Sequence, residues 1–250
     1  MRMTYAEYGT EHKDAVILLH GGGLSWWNHR EAAEILSEEY HVILPVLDGH
    51  AESSDDFTTI EANAERIIAF VDEHFSGSVL MMGGVSLGGQ ILLDILSRRR
   101  DICRYALIES AMVMPSRCLH AMIAPAFGSC YGLIRRRWFS KMQFHSLHIE
   151  EELFEEYYRD TCQISKANMM AFLRANAMYS LKASIVECCA KVHVFVGEKE
   201  QKVMHKSAAL IHEKLPGSTM QVLSRMHHGE FSVNHAQEYA RSVKEIIWGR

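Results

Sequence analysis

Gly84-Val85-Ser86-Leu87-Gly88 is the stretch from which the fold of this chain is read. It has the form G-x-S-x-G. The apolar run Ser78-Val79-Leu80-Met81-Met82 stands before it. After it, Leu87 to Arg100 has helical periodicity, with Leu87, Ile91, Leu92, Ile95 and Leu96 as the apolar stripe. Strand, glycine turn and helix in that order present a serine hydroxyl at the end of a strand. The turn is sharp, so the residues two positions either side of the serine must be small. Ser86 is therefore the candidate nucleophile.

The pattern spreads outward as repeated β-α units. Strands are expected at Ala15–Leu19, His41–Val46, Tyr105–Ile108, Lys191–Val196 and Thr219–Leu223, with a short one between Met3 and Tyr8. Helices are expected at Asn28–Tyr40, Thr58–Phe75, Val203–Leu215 and Ala236–Trp248. Asn28 with Glu31, and Thr58 with Glu61, have the spacing of capping boxes. Alternating β and α segments imply an α/β fold with a doubly wound, mostly parallel sheet. The alternation fails between Glu109 and Glu187, where helical segments such as Glu150–Thr161 and Ser165–Ser184 replace strands. That stretch is too long for an ordinary connection. It reads as an inserted helical cap over residues 110–186, with a core made of 1–109 and 187–250. Methionines and aromatics within it, including the basic-aromatic run Arg135 to Phe139, suit core packing or the lining of a pocket.

Totals narrow the function. At 250 residues and 48% hydrophobic, the chain can fill a large single core. Its net charge of −5 and lack of long single-sign blocks argue against nucleic acid as a partner. The start of the chain has no apolar signal core, and no apolar run approaches the ~18 residues of a membrane span. A cytoplasmic protein is the expectation. The six cysteines lack C-x-x-C spacing and read as reduced thiols. Fifteen histidines include no H-E-x-x-H pair, so neither a metal nor another cofactor is expected. Oligomeric state is open.

A serine nucleophile needs a base, a group to orient the base, and donors for an oxyanion. His20-Gly21-Gly22-Gly23 follows the first parallel strand, where glycines let backbone N–H groups approach a developing alkoxide. The base is expected late in the chain, at His227 or His228, with His228 favoured by the glycine after it. The orienting acid is expected between Ser86 and that histidine, at Glu198 or Glu200.

These segments, with Asp48-Gly49-His50-Ala51-Glu52-Ser53 and Gly197-Glu198-Lys199-Glu200, resemble the α/β-hydrolase superfamily across nearly the whole chain. The resemblance implies an α/β-hydrolase fold and acyl transfer through Ser86. It implies an oxyanion hole of the Leu87 N–H with that of Gly22, Gly23 or Leu24. It puts the acid at Glu200, where the family pattern carries aspartate, with Glu198 and Glu109 as rivals. Relatives that form alkyl-enzymes carry aspartate at the elbow, so the serine points to an ester, with a small-molecule substrate. An aminopeptidase or amidase using the acidic run Glu150 to Glu156, or a binding protein that keeps the fold without turnover, are the other readings.

Overall fold

A computed structural model describes residues 3–249 of the chain. Seven strands form one sheet: β1 (Tyr5–Tyr8), β2 (Ala15–Leu19), β3 (His41–Pro45), β4 (Val79–Val85), β5 (Cys103–Glu109), β6 (Lys191–Gly197) and β7 (Thr219–Leu223). Their order across the sheet is β1-β3-β2-β4-β5-β6-β7. Only the pairing of β1 with β3 is antiparallel. The other five are parallel, in keeping with helical crossovers.

Strand geometry sorts the side chains. Along β2, Val16 and Leu18 face one layer of helices and Ile17 and Leu19 the other. The first layer holds α1 (Arg30–Leu36) and, near the end of the chain, a helix over Ala236–Trp248. Ala32, Ala33, Leu36, Tyr239, Ala240 and Val243 are buried there. The second layer holds α2 (Ile60–His74), α3 (Leu87–Arg98) and a helix over Lys202–Lys214. It buries Ile60, Ala64, Ile67, Ile91, Ile95, Ala208 and Ile211. This is the α/β-hydrolase fold, with its sheet covered on both faces.

Between β5 and β6 the chain runs through α4 (Arg117–Cys130), α5 (Arg137–Ser146), α6 (Phe154–Gln163) and α7 (Lys166–Met178), joined by short 3-10 turns. The segment is fastened to the sheet and its helices by polar contacts. Trp27 Nε1–H donates to Asp160 at 2.8 Å, and Gln90 Nε2–H donates to the carbonyls of Met112 and Asn176. Asn168 accepts from the Phe57 N–H and donates to Asp56. The remaining helices are α8 (Lys202–Lys214), α9 (Glu230–Asn234) and α10 (Ala236–Trp248).

Several local expectations shift. The helix after β2 begins as a 3-10 turn at Trp26–His29 and ends at Leu36. Asn28 does not cap it; its Oδ1 accepts the N–H of Gly21 instead, at 3.2 Å. The cap of α2 is Thr59, not Thr58: its Oγ1 accepts from the Ala62 N–H at 3.0 Å. The helix expected to reach Ser184 stops at Met178, and a 3-10 turn at Ala183–Glu187 follows. Each miss concerns where a helix begins or ends, which neighbouring contacts decide.

Candidate active site

The elbow forms where β4 ends and α3 begins. Ser86 has φ +54° and ψ −113°, a conformation that L-residues avoid. The Ser86 N–H donates to the Glu109 carbonyl at 2.8 Å, and its own carbonyl accepts from Gln90. Close packing explains the flanking glycines. A Cβ on Gly84 would stand 2.5 Å from the Gly88 carbonyl oxygen, and one on Gly88 2.3 Å from that of Leu19.

Loops from distant parts of the chain converge on the serine. His228 Nε2 lies 2.9 Å from Ser86 Oγ, and its Nδ1–H donates to Glu200 Oε2 at 2.7 Å. The Glu200 side chain is buried. Its Oε1 accepts from the Gly197 N–H and the Ser110 hydroxyl, each at 2.7 Å. Burial pushes the Glu200 carboxyl up, but the bonds to His228, Gly197 and Ser110 outweigh it and hold the group below the usual carboxylate range.

The rivals have other partners. His227 donates from Nδ1 to Glu230 at 2.9 Å and stacks on His148 at a centroid distance of 3.7 Å. Glu198 accepts the Arg225 N–H and Ser224 hydroxyl, closing an exposed turn. Glu109 is buried beside the site, but it is held by Ser232, whose N–H donates a long 3.4 Å bond to its Oε1, and not by His228. Burial pushes its carboxyl up to about 7. Ser110 was not singled out in the sequence. It sits at φ +53° just past β5, and its oxygen also accepts the Gly229 N–H at 3.3 Å, tying the acid to the histidine loop. Its place after the strand beside the elbow was the available signal.

The glycine loop after β2 is held from below by two neutral histidines. His20 Nε2 accepts the Leu47 N–H at 3.0 Å, and its Nδ1–H donates to the Gly21 carbonyl. His50 Nε2 accepts the Gly23 N–H at 3.0 Å, and its Nδ1–H donates to the Asp48 carbonyl. Burial pulls His50 down to about 4, and burial with the neighbouring His50 pulls His20 well below its ordinary value. Of the three candidate N–H donors in this loop, Gly23 is bound to His50 and Leu24 to the Gly21 carbonyl. The Gly22 N–H has no protein acceptor among the described residues. Leu87 opens α3, so its N–H has no acceptor within the helix. The arrangement offers two free donors beside a hydroxyl that is hydrogen-bonded to an imidazole.

A cavity of about 160 Å³ opens beside Ser86, lined by Gly22, Leu24, Asn28, Leu147, Ile149 and Val233, among others. Leu147 and Ile149 come from the segment between β5 and β6. A larger hollow of about 440 Å³ near β1 and α2 is lined by Tyr5, Arg66, Glu73 and His74, and contains no serine or cysteine nucleophile. Among the described residues no group of three or more His, Cys, Asp or Glu side chains is disposed to hold a metal, and no helix is long and apolar enough to cross a membrane.

Fold and site together define an α/β hydrolase. Residues 16–242 match the family described as the alpha/beta hydrolase family, and the chain belongs to it. An uncharacterized hydrolase, YugF, of Bacillus subtilis is 23% identical over 90% of this chain and 86% of its own length. Lipase 1 of Psychrobacter immobilis is 32% identical over 44% of this chain and 36% of its own. Among solved structures, an esterase from Thermogutta terrifontis superposes with a TM-score of 0.81 at 17% identity, covering 99% of this chain and 93% of that one. A bromoperoxidase from Bacillus anthracis superposes at 0.82 with 16% identity, covering 98% and 95%. Such structural likeness extends to the fold alone.

Proposed function

We propose that the chain is a serine hydrolase that cleaves a small or medium carboxylic ester through an acyl-enzyme on Ser86. The observation that carries this reading is the continuous relay from Ser86 Oγ through His228 to buried Glu200, at 2.9 and 2.7 Å. His228 takes the hydroxyl proton as Ser86 attacks the ester carbonyl. Glu200 holds the imidazole with Nδ1 protonated, so that Nε2 is free to accept, and stabilises the imidazolium that forms. The N–H groups of Gly22 and Leu87 receive the oxyanion; one such donor typically contributes about a hundredfold or more to kcat. His228 then protonates the departing alcohol. Water, deprotonated by the same imidazole, releases the acid and restores the serine.

The cavity supports a small substrate. At about 160 Å³ it is below the usual range for drug-sized ligands, and its walls are largely apolar. We take residues 110–186 as a cap over a core of 1–109 and 187–250, since Leu147 and Ile149 reach the cavity from it. An aminopeptidase would need free acids near Ser86. In the run from Glu150 to Glu156, Glu151, Glu155 and Glu156 are paired with Lys141, Arg137 and Arg30, and none of that run lines the cavity.

The test pairs a fluorophosphonate probe with short-chain ester turnover. The parent protein labels and turns over, and Ser86→Ala does neither. Labelling of Ser86→Ala at the parental level would place the nucleophile elsewhere. Labelling without turnover of any ester would favour a binding protein.

A further inference from the structure

Helix α4 is an apolar helix that folding leaves in water. Ile123 is its one buried residue. Leu119, Met122 and Phe127 are exposed, and Pro125 and several alanines lie between them. The surface continues through Leu133 to α5, where Trp138 and Met142, four residues apart on one face, are 65% and 55% exposed. From α5 it runs on to Leu147, which lines the cavity beside Ser86.

The helices of this surface carry cations and no acids of their own, and the acids beside α5 belong to the next segment, Glu150 to Glu156. From Ser110 to Ile149 the sequence holds Arg117, Arg135, Arg136, Arg137 and Lys141 and no aspartate or glutamate, in a chain whose net charge is −5. No acid occurs from Ile164 to Val186 either. Arg137 and Lys141 are paired with Glu155 and Glu151. Arg117, Arg135 and Arg136 are exposed and have no ion-pair partner among the described residues. Exposed Lys166 and Arg174 of α7 add to them. The N–H of Ser116 donates to the Ala177 carbonyl, and Lys166 lies against Gly128, so α7 runs antiparallel beside α4.

We propose that the outer face of α4, α5 and the turn between them docks on an anionic lipid surface. Exposed tryptophan, phenylalanine and methionine suit the boundary between headgroups and acyl chains, and unpaired arginines suit anionic headgroups. A second copy of the chain fits poorly. Symmetric pairing would bring the same unpaired arginines toward one another. Docking in this pose sets the mouth of the cavity toward the bilayer, because Leu147 belongs to both surfaces.

The experiment is co-sedimentation of the full-length Ser86→Ala protein with vesicles, which needs no turnover and so stands apart from the esterase reading. Vesicles containing phosphatidylglycerol should carry the protein down, vesicles of phosphatidylcholine alone should do so weakly, and added salt should release it. Replacing Arg117, Arg135 and Arg136 together by Gln should weaken binding about a hundredfold, at roughly fivefold for each cation. Met122→Ser with Trp138→Ser should also release the protein, with unchanged thermal unfolding in both variants showing that they are folded. The proposal fails if phosphatidylglycerol vesicles leave the protein in solution, or if both variants bind as the parent does. It also fails if sedimentation velocity finds a dimer that Trp138→Asp dissolves while vesicles remain unbound.

Discussion

Ser110 shows how much one unnoticed residue can carry. Its hydroxyl donates to Glu200 and accepts from the Gly229 N–H, so it sets both the acid and the loop that bears His228. Ser110→Ala is expected to lower kcat for a short ester about tenfold, equivalent to roughly 1.4 kcal/mol, with KM little changed. The pH–rate profile should also move, because Glu200 loses one of the bonds that keep it ionised. An unchanged profile together with a loss of thermal stability alone would reduce Ser110 to a packing residue. At this scale the sequence was legible where a motif constrains backbone shape, as at Ser86. It was not legible for Ser110, whose role depends on β5 lying between β4 and β6 in space. Among Glu198, Glu200 and Glu109, only the family resemblance favoured Glu200, since all three stand near strand ends and burial and direction are visible only in the fold.

Among the elements, the loop after β2 is the most dependent on side chains outside itself. Asn28 holds the Gly21 N–H, His50 holds Gly23, and the ring of Phe172 on α7 stacks on His50 at 4.8 Å. A Cβ on Gly22 would touch that ring at 3.4 Å. Asn28→Ala leaves the Gly21 N–H without its acceptor, which should destabilise the fold by about 1–3 kcal/mol. With Gly22 no longer held in place, kcat should fall more than KM rises; equal kcat in the variant would mean that the loop is set by the histidines alone. The β-α alternation gave these elements away in the sequence, because buried parallel strands are nearly unbroken apolar runs. The ends of helices were harder. A side chain such as Asn28 can serve a cap or a neighbouring loop, and the loop won. Helices of the insertion were visible as periodicity, but their docking was not, since α4 presents apolar residues on nearly every side.

For the molecule as a whole, buried ionisable groups shape stability against pH from both sides. His29 and His50 are held neutral, each pulled by burial down to about 4, and His20 shifts the same way. Below pH ~6.5 the unfolded chain takes up protons that these rings refuse, so stability falls as pH drops from about 6.5 toward 4. Glu109 acts oppositely. Folded, it keeps its proton up to about pH 7, whereas unfolded it releases it near 4.5. Its burial therefore costs stability as pH rises through that window, on the order of 3 kcal/mol once complete. Thermal unfolding should be most resistant near neutrality. Glu109→Gln should raise the Tm at pH 8 and change it little at pH 4; a gain of the same size at both would show that repacking, not ionisation, is responsible.

The relay between Ser86 and His228 spans 142 positions of the chain. His228 follows β7, which lies at one edge of the sheet and pairs only with β6. During synthesis the elbow strand leaves the ribosome long before that edge exists. On the proposed mechanism, a nascent chain halted before β7 has docked presents Ser86 without His228 beside it, and is expected to stay chemically silent while its core assembles. On that reading, competence waits for the closing of the last strand.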